Sequence, residues 1–183
     1  MPRTQLILGG QKSGKSRRAE LLARQWLQAD ARHQAALVAT GQAWDAEMSE
    51  RIARHQRDRA ERVPGMLTIE EPRELAQVLA QHSSPQRLLV IDCLTLWLTN
   101  LLMLEDPTRL AFERDQLLEA LASLPGEIIF VSNETGMGVV PLGELTRRYV
   151  DEAGWLHQAL AERCQRVVLT VAGLPLTLKG TAL

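Results

Sequence analysis

The chain has little that would tie it to a metal cluster, a membrane or a charged polymer. Its 183 residues include only two cysteines, Cys93 and Cys164. They lie far apart and fit no metal-ligand spacing, so both are expected as free, buried thiols. A surplus of charge is also missing: 21 Lys and Arg against 22 Asp and Glu leave a formal charge of −1. Without a basic excess, neither nucleic acid nor a membrane surface is the expected partner. No apolar run reaches the ~18 residues of a membrane span. The longest candidate, LLVIDCLTLWLTNLLML, is broken by Asp92, Thr95, Thr99 and Asn100. The residues ahead of the first apolar run are too few for a signal peptide, so a cytoplasmic protein is expected.

What is present points to an α/β protein. The length suits a single domain over residues 1–183, and 45% of the residues are apolar, enough for its core. Short apolar runs at 5–8, 35–40, 87–92, 127–133 and 166–173 predict buried strands, with shorter ones at 67–72 and 174–179. Between them, 15–29, 45–63, 73–81, 94–104, 110–124 and 143–164 follow helical spacing, with Asp45 a candidate N-cap and Gly154 a candidate break. Strands that are apolar throughout, rather than alternating, predict a mostly parallel sheet with helices on both faces. Two loops, TGQAW at 40–44 and NETGMGVVPLG at 133–143, then fall at the carboxyl ends of strands, where ligands bind in open α/β sheets.

The first strand runs into Gly9, four residues, then Gly14, Lys15 and Ser16, and a helix follows. This is the G-x-x-x-x-G-K-[ST] phosphate loop in its expected strand–loop–helix setting. Glycines let successive backbone amides turn inward at phosphate oxygens, and the helix adds its positive end. Lys15 supplies a point charge for the β and γ phosphates, and the Ser16 hydroxyl can ligate Mg²⁺. Asp92, ending a buried strand, is the natural second Mg²⁺ group, with N-capping of the next helix as its other reading.

The segment from 47 to 62 is a dense run of arginines and acids holding His55. At helical spacing Met48, Ile52 and His55 share a face, which turns His55 toward the body of the protein. Arg51 and Arg59, one turn to either side, offer guanidinium forks to phosphate. An imidazole there can attack phosphorus; the alternative is a solvated helix laced with ion pairs.

The phosphate loop, the TGQ loop, DAEMSERIARH, LLVIDCLTLWLTNLL and SNETGMGVVP, in that order, resemble the bifunctional adenosylcobinamide kinase and adenosylcobinamide-phosphate guanylyltransferase family of cobalamin synthesis. The resemblance covers about residues 5 to 173. It implies a P-loop NTPase of RecA-like fold that assembles as a homotrimer. It implies phosphorylation of adenosylcobinamide from ATP or GTP, then transfer of GMP from GTP to that phosphate with release of pyrophosphate. His55 matches the family's guanylylated histidine. Nucleotide binding maps onto Gly9, Gly10, Gln11, Lys12, Ser13, Gly14, Lys15, Ser16 and Arg17, onto Thr40, Gly41 and Gln42, and onto Arg51, Arg59, Glu70 and Asp92. Ser16 and Asp92 are the implied Mg²⁺ residues; Lys15 and His55 are the catalytic ones.

The chain departs from the family pattern in places. RRYVDEAGWLHQ places Val150 and His157 where the family usually has arginine and asparagine, and Met66 replaces a common tryptophan. Glu134 is left with two readings, orienting the alcohol or Mg²⁺, or hydrogen-bonding its own loop. Gly136 and Gly138 are expected to shape that loop. Two rivals remain at this point: a simple small-molecule kinase with His55 inert, and a slow nucleotide-hydrolysing regulatory module in which Gln11 or Gln42 orients water.

Overall fold

The computed structural model describes residues 3–43 and 45–181; the side chain of Arg51 is also outside what it describes. Seven strands form one sheet: β1 (Thr4–Gly9), β2 (Gln34–Ala39), β3 (Leu67–Glu70), β4 (Arg87–Asp92), β5 (Glu127–Asn133), β6 (Arg166–Val171) and β7 (Leu174–Lys179). Their order is β3-β2-β4-β5-β1-β6-β7, with every pairing parallel except β6 with β7. Six helices connect them: α1 (Lys15–Ala29), α2 (Ala46–Arg62), α3 (Leu75–His82), α4 (Leu94–Leu102), α5 (Pro107–Ala120) and α6 (Glu144–Arg163).

The all-apolar strands have the reason expected of them. In β1, Leu6 and Leu8 point into a core built with α3, α4, α5 and α6, while Ile7 points into a second core beneath α1. Both faces of the central strands are therefore dry, and alternation disappears. The topology carries the carboxyl ends of β1, β2, β4 and β5 to one edge of the sheet, so the loops after them are neighbours.

Several boundaries move for identifiable reasons. The fifth helix starts at Pro107, ahead of the expected 110, because Asp106 accepts from the amides of Thr108 and Arg109 and proline fits the first turn. The last helix runs unbroken through Gly154, beside which there is open space. The run expected as one strand to 173 stops at Val171, and a turn with positive φ at Ala172 and Gly173 folds β7 back antiparallel. Asp45 does cap α2, accepting from Met48 N at 2.7 Å. Among the described residues no helix is long and apolar enough to cross a membrane.

Candidate active site

The phosphate loop lies between β1 and α1. At Gly9 φ is +156°, and a Cβ there would collide with the Thr170 carbonyl oxygen and lie 2.6 Å from Ser13 Oγ. At Gly14 φ is +102°, and a Cβ would sit 3.2 Å from Gly173 Cα. Glycine is thus required twice, for conformation and for close approach. The loop leans on the β6–β7 turn, since Gly173 N donates to Ser13 O at 2.9 Å. Lys15 is 7% exposed, and its ammonium donates to Gly10 O at 2.7 Å, spanning the loop. Burial holds its pKa below the ordinary lysine value, against the opposing pull of Cys93 and Asp92. Ser13 Oγ is buried with no partner, an unspent donor inside the cradle.

Asp92 ends β4 across from the loop. Protein packed round its carboxyl raises its pKa by desolvation, although a hydrogen bond from Ser16 and the charges of His55, Arg59 and Lys15 pull it back. The N-cap reading does not hold: the cap position of α4 is Cys93, and no side chain caps that helix.

Helix α2 covers the cavity from the side. It is anchored at its end, where Arg62 Nη1 meets Glu20 Oε2 of α1 at 3.1 Å and the buried Arg59 donates to Thr68 Oγ1 at 3.2 Å. Burial lowers the Arg59 pKa, with Asp92 and Glu20 opposing. His55 lies in the exposed part of this helix rather than against the core, but its open side is the cavity wall. The cavity measures about 700 Å³, and Lys15, Ser16, His55, Arg59, Glu70 and Asp92 all line it.

Of the other expected residues, Gln11, Lys12, Ser13, Gly14, Arg17 and Gly41 also line the cavity. Gly9 and Gly10 lie in the floor of the loop. Thr40 is fully buried and does not reach the cavity wall. Its hydroxyl donates to Cys93 O at 2.7 Å and accepts from Cys93 N at 3.0 Å, which ties the TGQ loop to the end of β4. The side-chain Oε1 of Gln42 is buried without a partner, away from the wall. The Arg51 side chain and Trp44 lie outside the described residues. Glu134 is turned into its own loop, accepting from Gly136 N at 2.7 Å, with its other oxygen 3.8 Å from His157 Nδ1. Met66 packs partly buried against the core under α1, away from the cavity.

Three residues carry site geometry that local sequence patterns do not signal. Asn100, 2% exposed, donates to Thr40 O at 2.7 Å and Pro72 O at 3.0 Å, so the TGQ loop hangs from α4. Asn133 lines the cavity and reaches Gln11 Oε1 at 3.5 Å. Gly173 braces the phosphate loop from behind. A polar residue inside an apolar run was the available signal for Asn100, and the strand-end position of the loop 133–143 was that for Asn133; Gly173 had none.

A RecA-like sheet with a phosphate loop after its first strand, and an imidazole across the same cavity, define a P-loop nucleotide-handling transferase. The chain belongs to the cobinamide kinase / cobinamide phosphate guanyltransferase family, whose model matches residues 5–178. It is accordingly a bifunctional enzyme of adenosylcobalamin biosynthesis. It is 60% identical over 178 residues to the bifunctional adenosylcobalamin biosynthesis protein CobP of Pseudomonas aeruginosa, covering 97% of this chain and 98% of that one. It is 33% identical to the protein called CobU in Escherichia coli and 35% identical to that of Salmonella typhimurium, each match covering 95% of this chain and 98% of the relative. The crystal structure of flagellar accessory protein FlaH from Methanocaldococcus jannaschii shares the fold, with TM-score 0.53 at 15% identity over 99% of this chain and 80% of that one.

Proposed function

We propose that one cavity serves both reactions, with His55 as the nucleotide carrier in the second. The carrying observation is that His55, Lys15 and Asp92 line a single space of about 700 Å³. In the kinase step the hydroxyl of adenosylcobinamide takes the γ-phosphoryl group of ATP or GTP. The loop amides and Lys15 neutralise the charge that develops on the departing diphosphate. In the transfer step His55 attacks the α-phosphorus of GTP: a P–N bond forms, and the bond to the bridging oxygen breaks as pyrophosphate leaves. The phosphate of the acceptor then attacks the same phosphorus, the P–N bond breaks, and adenosylcobinamide-GDP departs with the imidazole restored. Arg59 and Glu70 face the nucleotide from the wall, and Arg17 extends the positive rim.

The residues present fit Mg²⁺. Ser16 and Asp92 offer two hard oxygens side by side, which suits an ion that takes its other ligands from phosphates and water. Bound there, it would neutralise phosphate charge. No group of three or more His, Cys, Asp or Glu side chains among the described residues could hold a metal unaided.

One sheet taking in every described strand supports a single catalytic domain over residues 1–183. The exposed row of Leu174, Leu176 and Leu178 on the edge strand supports assembly of copies, which we take to be a homotrimer. Its nucleotide substrates support a cytoplasmic setting.

The test is intact mass after incubation with GTP and Mg²⁺. A gain of one GMP, mapped to His55 and lost in His55→Ala, is expected, and that variant should retain cobinamide kinase activity. Wild-type GMP transfer by His55→Ala would end the covalent mechanism.

A further inference from the structure

Beyond β5 the chain enters the loop 134–143, and its apolar side chains face outward. Met137 is 77% exposed, Val139 96%, Val140 69% and Leu142 95%. Apolar loops usually collapse onto the protein, because each exposed side chain forgoes the gain of leaving water. Here the backbone is held open. Glu134 accepts from Gly136 N, and the Arg147 guanidinium donates to the carbonyls of Pro141 and Leu142 from the first turn of α6. The pad is joined directly to the nucleotide site: Asn133, the residue before it, lines the cavity, and Glu134 N donates to Gly9 O at 3.0 Å. Between Thr135 and Gly143 it contains no charged residue.

We infer that this loop is the docking pad for the corrinoid ring of the acceptor, resting on the two-step reading above. The second substrate must present a hydroxyl, and later a phosphate, at the mouth of the phosphate-loop cavity. Its bulk is a broad macrocycle whose rim carries methyls and uncharged amide arms, too large for the cavity itself. It needs an apolar, uncharged surface contiguous with the cavity mouth, and loop 134–143 has those properties. Neither loop 134–143 nor the other exposed apolar row, Leu174 to Leu178 on β7, supplies the cavity wall itself, but only the loop follows directly on a wall residue, Asn133.

The experiment compares the full-length wild type with the double variant Val139→Ser/Leu142→Ser, and with Phe112→Ser, an exposed apolar position on α5 away from the cavity, as control. Both pad positions are almost fully exposed, so folding should survive, which circular dichroism and melting check. Each protein is assayed for GMP loading from GTP and for KM of cobinamide phosphate at saturating GTP. The pad variant should load GMP within twofold of wild type while its acceptor KM rises at least tenfold; the control should move neither. An unchanged acceptor KM overturns the inference, as does an equal rise in the control. A loss of oligomeric mass in the pad variant by light scattering also overturns it, making the loop a contact between copies. Failure of the wild type itself to load GMP would instead strike the covalent reading, which separates the two.

Discussion

Asp92 is where the conflict between stability and chemistry is sharpest. Its carboxyl is desolvated more than Ser16, His55, Arg59 and Lys15 compensate, so its folded pKa lies above the ordinary 3.8. A carboxyl with a raised folded pKa binds its proton more tightly in the native than in the unfolded state. Its contribution is therefore favourable below about pH 3.8 and is lost as pH rises through the folded value. At neutral pH the ionised group is a liability in the ligand-free enzyme. Asp92→Asn, which mimics the neutral form, should raise nucleotide-free stability, and with it the Tm, at pH 7–8. Both activities should fall by at least a hundredfold, since a neutral amide is a poor partner for Mg²⁺ and phosphate. Thermal unfolding with and without nucleotide and Mg²⁺ tests this: the variant's advantage should vanish in their presence. A variant less stable than wild type without ligand would show that the surrounding cations need the charge more than burial penalises it.

At the scale of elements, the site is a set of loops hung from better-packed parts. The TGQ loop is held through Thr40, whose carbonyl accepts from Asn100 of α4 and whose hydroxyl is shared with the backbone of Cys93. Asn100→Ala would strand the buried carbonyls of Thr40 and Pro72, at about 1–3 kcal/mol for each unsatisfied group. We expect a loss of about 2–4 kcal/mol in urea unfolding, with weaker nucleotide binding because the cavity loses its Gly41 wall; a change below 0.5 kcal/mol would refute the strut. This element also marks the limit of what could be read in advance. The phosphate loop was legible because its chemistry lies within eight consecutive residues and its flanks are local. The strands were legible because each central one is buried on both faces. The face of α2 was only half legible: spacing grouped His55 with Met48 and Ile52, but α2 packs through Arg62, Glu20 and the half-buried Ile52, leaving His55 against a cavity instead of a core. Asn100, the Gly173 brace and the Thr40 clasp escaped because their partners lie 28 to 160 residues away, and no local pattern reports such a pairing. Glu134 was left open, and the structure favours its loop-bonding reading, with both oxygens directed at Gly136 and His157.

For the whole molecule, His157 links local charge to global stability. It sits on α6, 7% exposed, with Nε2 2.8 Å from Ser132 Oγ in the middle of the sheet and Nδ1 3.8 Å from Glu134. Burial holds its pKa below the ordinary 6.5, with Glu134 only partly opposing. A histidine with a lowered folded pKa is protonated more readily when the chain unfolds. Its neutral form thus supports the fold above about pH 6.5, and that support is lost as pH falls from 6.5 through the folded value, levelling off below it. Because the bond joins α6 to β5, next to the β1 strand that bears the phosphate loop, protonation should weaken the entire cooperative unit rather than fray one end. His157→Asn keeps a polar partner for Ser132 but cannot titrate. Urea unfolding at pH 7.5 and pH 5.5 should show the wild type losing stability over this interval, by no more than about 1.4 kcal/mol because only one pH unit separates the unfolded 6.5 from pH 5.5, and the variant losing less. His33, His55 and His82 are common to both proteins and cancel in the difference. At pH 7.5 the variant should be the less stable of the two, having exchanged a packed ring for a shorter amide. Equal slopes with pH would mean that Glu134 shares the proton well enough to keep the ring charged inside the fold, and the link between this side chain and acid sensitivity would be gone.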